Sequence, residues 1–243
     1  MVATPAGEKV PRIEGRKRAG PTPPPTPTPS ANTRTPLDPI HFSTPLGDNA
    51  VRNSDGSYRV TTIRGVAVDV LPDDRDPARA EKTAGTEIAP HYVGVQWFEV
   101  GGRATRMTPP SLSFTIQTHF GPGVDPGGPS GYGRGTTEED RRAGNTSLGF
   151  HEGTHGTACQ QYLRDHPLPA FEGKTGMTIE KLQSLGEQHR AAVDEYARRM
   201  MADVERQGDC VGEPAKHCAT GAERAPLESP SPSSTPAPGA TPR

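Results

Sequence analysis

The chain is short of the residues that build a large core. Only 30% of its 243 residues are hydrophobic and 5% are aromatic, with a single tryptophan. An ordinary domain carries roughly 45–50% apolar residues on a slightly broader count. No stretch approaches the ~18 consecutive apolar residues of a membrane span. The opening MVATPAGEKVPRIEGRKR has no apolar h-region, so no signal peptide is expected. The expectation is cytoplasmic synthesis, with export only by a non-classical route. Net charge is −2, which gives no reason to expect nucleic-acid or membrane binding. The basic run Arg12–Arg18 reads as a solvated charge cluster or a docking or processing site. Cysteine is scarce, at three. Cys210 and Cys218 are close enough to pair in an oxidising compartment, and Cys159 reads as a buried free thiol.

Proline and glycine, at 28 each, are plentiful but uneven. PTPPPTPTP falls in the first 36 residues, and residues 224–243 read RAPLESPSPSSTPAPGATPR. Neither segment buries enough apolar surface to offset the entropy of ordering. The expected organisation is a Pro/Thr-rich disordered tail over 1–37, one folded domain over 38–222 and a Pro/Ser-rich disordered tail over 223–243.

Within the domain, alternation at Tyr58, Val60 and Thr62, and again at Val66, Val68 and Val70, predicts strands. Residues 73–90 read as a loop or a short irregular helix. A strand is expected over His91–Val100, turning at Gly101-Gly102 into Arg103–Met107. The cleanest alternation is Leu112, Phe114 and Ile116, a strand to Phe120. A Gly/Pro-rich loop follows over Gly121–Gly135, long enough to suggest function or mobility. Helices are predicted over Thr146–Arg164, with Asn145–Ser147 as candidate caps, and over Thr178–Gln207, capped by Thr178 and stopped at Gly208. Asn145-Thr-Ser also fits a glycosylation acceptor, but cap chemistry explains it. The fold class implied is α+β: a small antiparallel sheet followed by two long helices.

Residues 151–155 read His-Glu-Gly-Thr-His. At i and i+4 on a helix both imidazoles face one ion, and the intervening Glu can take a proton from a coordinated water. His151 and His155 are therefore candidate zinc ligands and Glu152 the candidate catalytic base. Leu148, His151, His155, Cys159 and Tyr162 form one stripe at spacings of three and four. Burying two histidines is costly unless something satisfies them, and a metal ion would. The plainer reading is two satisfied or exposed histidines. The extended metzincin form needs Gly and His where Ala158 and Gln161 stand, so a third ligand must come from farther along.

His189 lies on the buried stripe of the second helix, between Leu185 and Val193, and is the leading candidate for that ligand. It reads equally well as a core histidine satisfied by a backbone carbonyl. Glu187 and Glu195 are further candidates, but they lie about 160° and 120° round the helix from it, at 100° per residue. His166 and His217 complete the set. Tyr162 and Tyr196 read as core residues that could also donate to a tetrahedral intermediate. Trp97 reads as core and His119 as structural or exposed.

The order of parts resembles a bacterial family of zinc-dependent proteases, zincin-like, in which an HExxH helix follows a small sheet. The resemblance rests on Tyr58-Arg-Val60, Ile63-Arg-Gly65-Val66, the strand around Trp97, the strand Leu112–Phe120 and the motif helix. It spans about residues 55–210, and the motif is its specific part. A later His-Gly element of that family has no counterpart here. The resemblance implies a zinc peptidase acting on a peptide or protein. The tails suit a delivered bacterial effector or docking to a larger assembly. Two further readings compete: a non-catalytic zinc-binding structural or adaptor module, and a zinc amidase acting on cell wall.

Overall fold

A computed structural model of the chain describes residues 34–212, apart from 48, 64–65 and 80–82. Most of both expected tails lies outside the described residues. The tail boundary shifts, because Thr35–Pro36 form strand β1 and Leu37 is buried against Phe120 and Val124.

Strands β2 (Ala50–Arg52), β3 (Tyr58–Ile63), β4 (Val66–Val70), β5 (Asp74–Arg75), β6 (Ala84–Val93) and β9 (Ser111–Phe120) join β1 in one sheet, ordered β1-β5-β9-β4-β3-β2 with β6 also on β9. β7 (Gln96–Val100) and β8 (Arg103–Thr108) form a separate hairpin. Helices α1 (Glu138–Ala143), α2 (Leu148–Asp165) and α3 (Ile179–Gly208) follow.

The small antiparallel sheet expected from the sequence is thus overturned. The sheet is seven-stranded, mixed and curled into a half-barrel, with a second sheet beside it. β9 is the reason. Along one edge it runs parallel to β4 and then to β5; along its whole other edge it pairs antiparallel with β6. The single strand expected over His91–Val100 is the end of one strand and the start of another, in different sheets. The loop expected over 73–90 holds β5 and the start of β6.

Alternation decides which face of β9 meets the helices. Leu112, Phe114, Ile116 and Thr118 are buried, and the first three join Val66, Val68, Val70 and Ile88 in the main core. The helix side supplies Cys159, Tyr162 and Leu163 from α2 and Val193, Tyr196, Met200 and Val204 from α3. Burial pushes the Cys159 thiol up to about 12, so it is an inert core sulfhydryl at neutral pH. Trp97 packs in a second cluster with Val95, Ala104, Ile179 and Leu182. The two long helices lie within a residue or two of their expected bounds. Their caps are Ser147, which accepts from the Phe150 N–H, and Thr178, which accepts from the Lys181 N–H. No helix among the described residues is long and apolar enough to cross a membrane.

The far side of α2 is set by a backbone contact. Buried Asp73 accepts from the Ser43 N–H, the Ser43 hydroxyl and His41 Nδ1, pinning residues 41–44 against the helix. A Cβ on Gly153 would sit on the Ser43 carbonyl oxygen, well inside contact distance. Two effects oppose each other in Gly153→Ala. Helix propensity gains ~1 kcal/mol, while overpacking costs ~1–3 kcal/mol or more. Because Asp73 fixes the opposing backbone, the clash wins. We expect a net loss of about 1–2 kcal/mol and a fall in Tm of a few degrees. A raised Tm in a thermal melt would show that residues 41–44 yield.

Candidate metal centre

The motif occupies the first two turns of α2, and three of its four polar side chains are buried: His151, Glu152 and His155. The two imidazole centroids lie 5.2 Å apart. Between them and the end of α3 comes Asp209, the C-cap of that helix. Its Oδ1 is 3.2 Å from Nε2 of His151 and 3.2 Å from Nε2 of His155. One donor atom from each of the three lies within 4.8 Å of the others. Ligands ~2.0 Å from a common tetrahedral centre are spaced ~3.3 Å apart, which the two 3.2 Å separations match.

His189 is not part of this group. Its Nδ1 meets the Tyr92 hydroxyl at 3.0 Å and its Nε2 the Pro169 carbonyl at 3.2 Å. Its ring packs between Tyr92 and Phe171. The core-histidine reading describes it, and Asp209 stands where His189 was expected. Glu187 is exposed, Glu195 pairs with Arg198 and Arg199, and His166 stacks on Tyr162 at 4.0 Å. His217 lies outside the described residues. Tyr162 and Tyr196 are core groups, with the Tyr196 hydroxyl donating to the His166 carbonyl. His119 is fully buried on the sheet, 2.6 Å from Asp74. Cys210 is disulfide-bonded, and its expected partner Cys218 lies outside the described residues.

A signal for Asp209 existed. The α3 stripe Val193, Tyr196, Met200, Val204 continues at its own spacing to Gly208, which is buried. A Cβ there would come within 2.7 Å of His155 Nδ1. A glycine on a buried stripe marks a close approach, and the acid beside it inherits that position.

The orientation of His151 is fixed from behind. Its Nδ1 is 2.9 Å from the Arg134 carbonyl oxygen. A carbonyl only accepts, so Nδ1 carries the proton, and a neutral His151 presents a lone pair at Nε2. That lone pair faces a carboxylate oxygen 3.2 Å away. Two lone pairs do not sit there unaided; a proton or a metal ion must lie between them.

Arg134 is itself held. Its N–H donates to the Gly208 carbonyl at 2.9 Å, and its guanidinium pairs with buried Asp140. Asp140 also accepts from the Gly135 N–H and the Thr137 hydroxyl. The end of the Gly/Pro loop is therefore tied down. It is a bracket joining the first histidine to the helix end that carries Asp209.

The charges favour a positive species, a proton or a metal ion, between these groups. Burial alone would raise the Asp209 carboxyl. Hydrogen bonds from His151 and His155, and their charges, outweigh that and hold it well below the usual carboxylate range. Burial likewise disfavours charged His151, but its bonds to Asp209 and the Arg134 carbonyl win and raise its pKa. The negative end of the 30-residue helix α3 points the same way.

Glu152 stands beside this group. Burial raises its carboxyl, against the opposing charges of His155 and His151 and a bond from Thr86. The Thr86 hydroxyl is 3.0 Å from Glu152 Oε2 and 3.0 Å from the Thr118 hydroxyl, so β6 and β9 together position the carboxylate. Ala84, Gly85 and Thr86, Tyr132, and Arg198 and Met201 of α3 wall a cleft of ≈ 590 Å³ over Glu152, His155 and Asp209.

No family model, no curated protein and no solved structure matches the chain. Its function is read from this site alone.

Proposed function

We propose that the protein is a zinc-dependent peptidase, with His151, His155 and Asp209 as ligands and Glu152 as general base. The observation that carries this is the His151 ring. With its proton spent on the Arg134 carbonyl, it aims a lone pair at a carboxylate across a tetrahedral edge. Three protein ligands with a cleft at the remaining position is the arrangement of a catalytic zinc site, whereas structural sites close with four. Zinc would supply a Lewis acid for the scissile carbonyl and lower the pKa of a coordinated water towards ~7. A carboxylate raised towards neutrality takes that proton more readily than an ordinary one. The Thr86 hydroxyl fixes one of its oxygens, and a proton gained there can pass to the leaving amine.

A peptide fits the cleft because β6 is an edge strand. Among the described residues its one strand partner is β9, so its outer side can take a substrate backbone by strand addition. Pro90 is tolerated in β6 because an edge can spare a donor. Delivery as an effector would be a narrower version of this reading; an amidase acting on cell wall shares the chemistry and competes on substrate, and tail-mediated docking would suit the non-catalytic module as well.

The test is metal analysis followed by digestion of a broad peptide library. One zinc per chain is expected, with cleavage lost on chelation and restored by zinc while circular dichroism keeps the folded signature. Absence of stoichiometric zinc would sink the proposal. A chain that unfolds on chelation, and cleaves nothing when loaded, is a structural zinc module instead.

A further inference from the structure

Besides the ligands, the base and Thr86, the cleft is lined by three polar side chains, Tyr132, Arg198 and Glu205. Arg198 is paired with Glu195, and Tyr132 is the one that touches a proposed ligand ring. Tyr132, in the Gly/Pro loop, lines the cleft with Glu152, His155 and Asp209 and is 48% exposed. Its ring meets the His151 ring edge-on, centroids 4.7 Å apart. The placement is held on both sides. Ser130 donates from its N–H to the Thr146 carbonyl and from its hydroxyl to the Tyr132 carbonyl. Beyond it, Gly133 turns at φ +60° against the Gly208–Asp209 backbone, where a Cβ would come within 3.0 Å of Asp209 Cα. Arg134 is then tied to Gly208, Asp140 and His151. The backbone is held firmly here, and the ring, resting on His151 and 48% exposed, does not pack a core. Its hydroxyl has no hydrogen-bond partner among the described residues.

The geometry points to Tyr132 as a catalytic residue: its phenol O–H donates to the carbonyl oxygen of the scissile bond as that carbon becomes tetrahedral. The assignment rests on the peptidase reading above and names the group that stabilises the developing charge. As water adds to the carbonyl carbon, the C=O π pair moves onto oxygen. That oxygen gains charge, and a fixed donor aimed at it is stronger in the transition state than in the ground state. When the C–N bond breaks, the pair returns and the phenol is unchanged; its proton is lent and never transferred. An ordinary phenol, with a pKa of about 10, is protonated throughout the neutral range.

Tyr132→Phe isolates the hydroxyl, because the ring keeps its contact with His151. In the zinc-loaded full chain, kcat is expected to fall about a hundredfold with KM within about threefold of wild type. Zinc content and zinc affinity stay unchanged. A phosphinic peptide, whose tetrahedral phosphorus oxygens imitate the reacting carbon, is expected to bind about a hundredfold more weakly by calorimetry. A peptide of the cleaved sequence, as substrate to the Glu152→Gln variant, keeps its affinity. A variant with kcat/KM and phosphinate affinity near wild type overturns the assignment. So does loss of zinc in Tyr132→Phe, which would make the residue a prop for His151. If the wild type holds zinc but cleaves no peptide, the peptidase reading itself has failed, and this one with it.

Discussion

Glu152→Gln is expected to keep one zinc per chain and to lower kcat by about 10²–10⁴-fold, the usual worth of a positioned proton acceptor. The amide preserves the shape of the side chain and can still accept from Thr86, so the packing of α2 on β6 survives. What goes is basicity. The substitution also removes a negative charge beside His151 and His155, which both interact with it, so zinc affinity falls slightly at most. The measurement is single-turnover cleavage of the best library peptide, with metal content on the same sample. Wild-type activity in this variant would place the proton acceptor elsewhere and end the assignment of Glu152.

The second large effect separates two histidine-rich readings of the same chain. Asp209→Ala is expected to weaken zinc by more than the ~10–100-fold that follows loss of a group that merely orients a ligand. It removes the one atom that lies 3.2 Å from both imidazole nitrogens. His189→Ala is expected to leave zinc affinity at the wild-type value. It loses bonds to the Tyr92 hydroxyl and the Pro169 carbonyl, costing about 1–2 kcal/mol in a denaturant titration. Competition against a fluorescent zinc chelator reads both. The reverse pattern, with His189 needed and Asp209 dispensable, would return the third position to the stripe of α3.

The contrast between those residues shows what periodicity can reveal. α2 and α3 were legible because spacings of three and four, with Ser147 and Thr178 as caps, state a helix in local terms. β9 was legible because Leu112, Phe114 and Ile116 alternate without interruption. The pair His151 and His155 needed no more than that, since helix geometry alone joins i to i+4. Asp209 belongs to the other class. It meets α2 only after the core has docked α3 against it, and the one local hint of that crossing is Gly208 on the buried stripe. β6 was hidden for a different reason. Only Ile88 is fully buried along its ten residues, and Glu87, Pro90 and His91 look like loop chemistry. They are tolerated because they lie on an edge. Strand direction leaves no mark in alternation, so the parallel pairing of β9 with β4 and β5 could not be read either.

The open side of β6 also bears on how the protein behaves at high concentration. An unpaired strand edge does not distinguish a substrate from the same edge of another molecule. Two copies pairing antiparallel about Glu87 would bring those carboxylates close together, and Pro90 would interrupt the ladder a few residues later. Both residues tax association between long, regular partners such as the strand itself. A short, extended peptide laid beside Thr86 avoids both, the Ala84 carbonyl being already taken by the Arg79 guanidinium. The features that made β6 look like a loop thus also tax the pairing of one copy with another, and with it the loss of solubility that an unpaired edge invites.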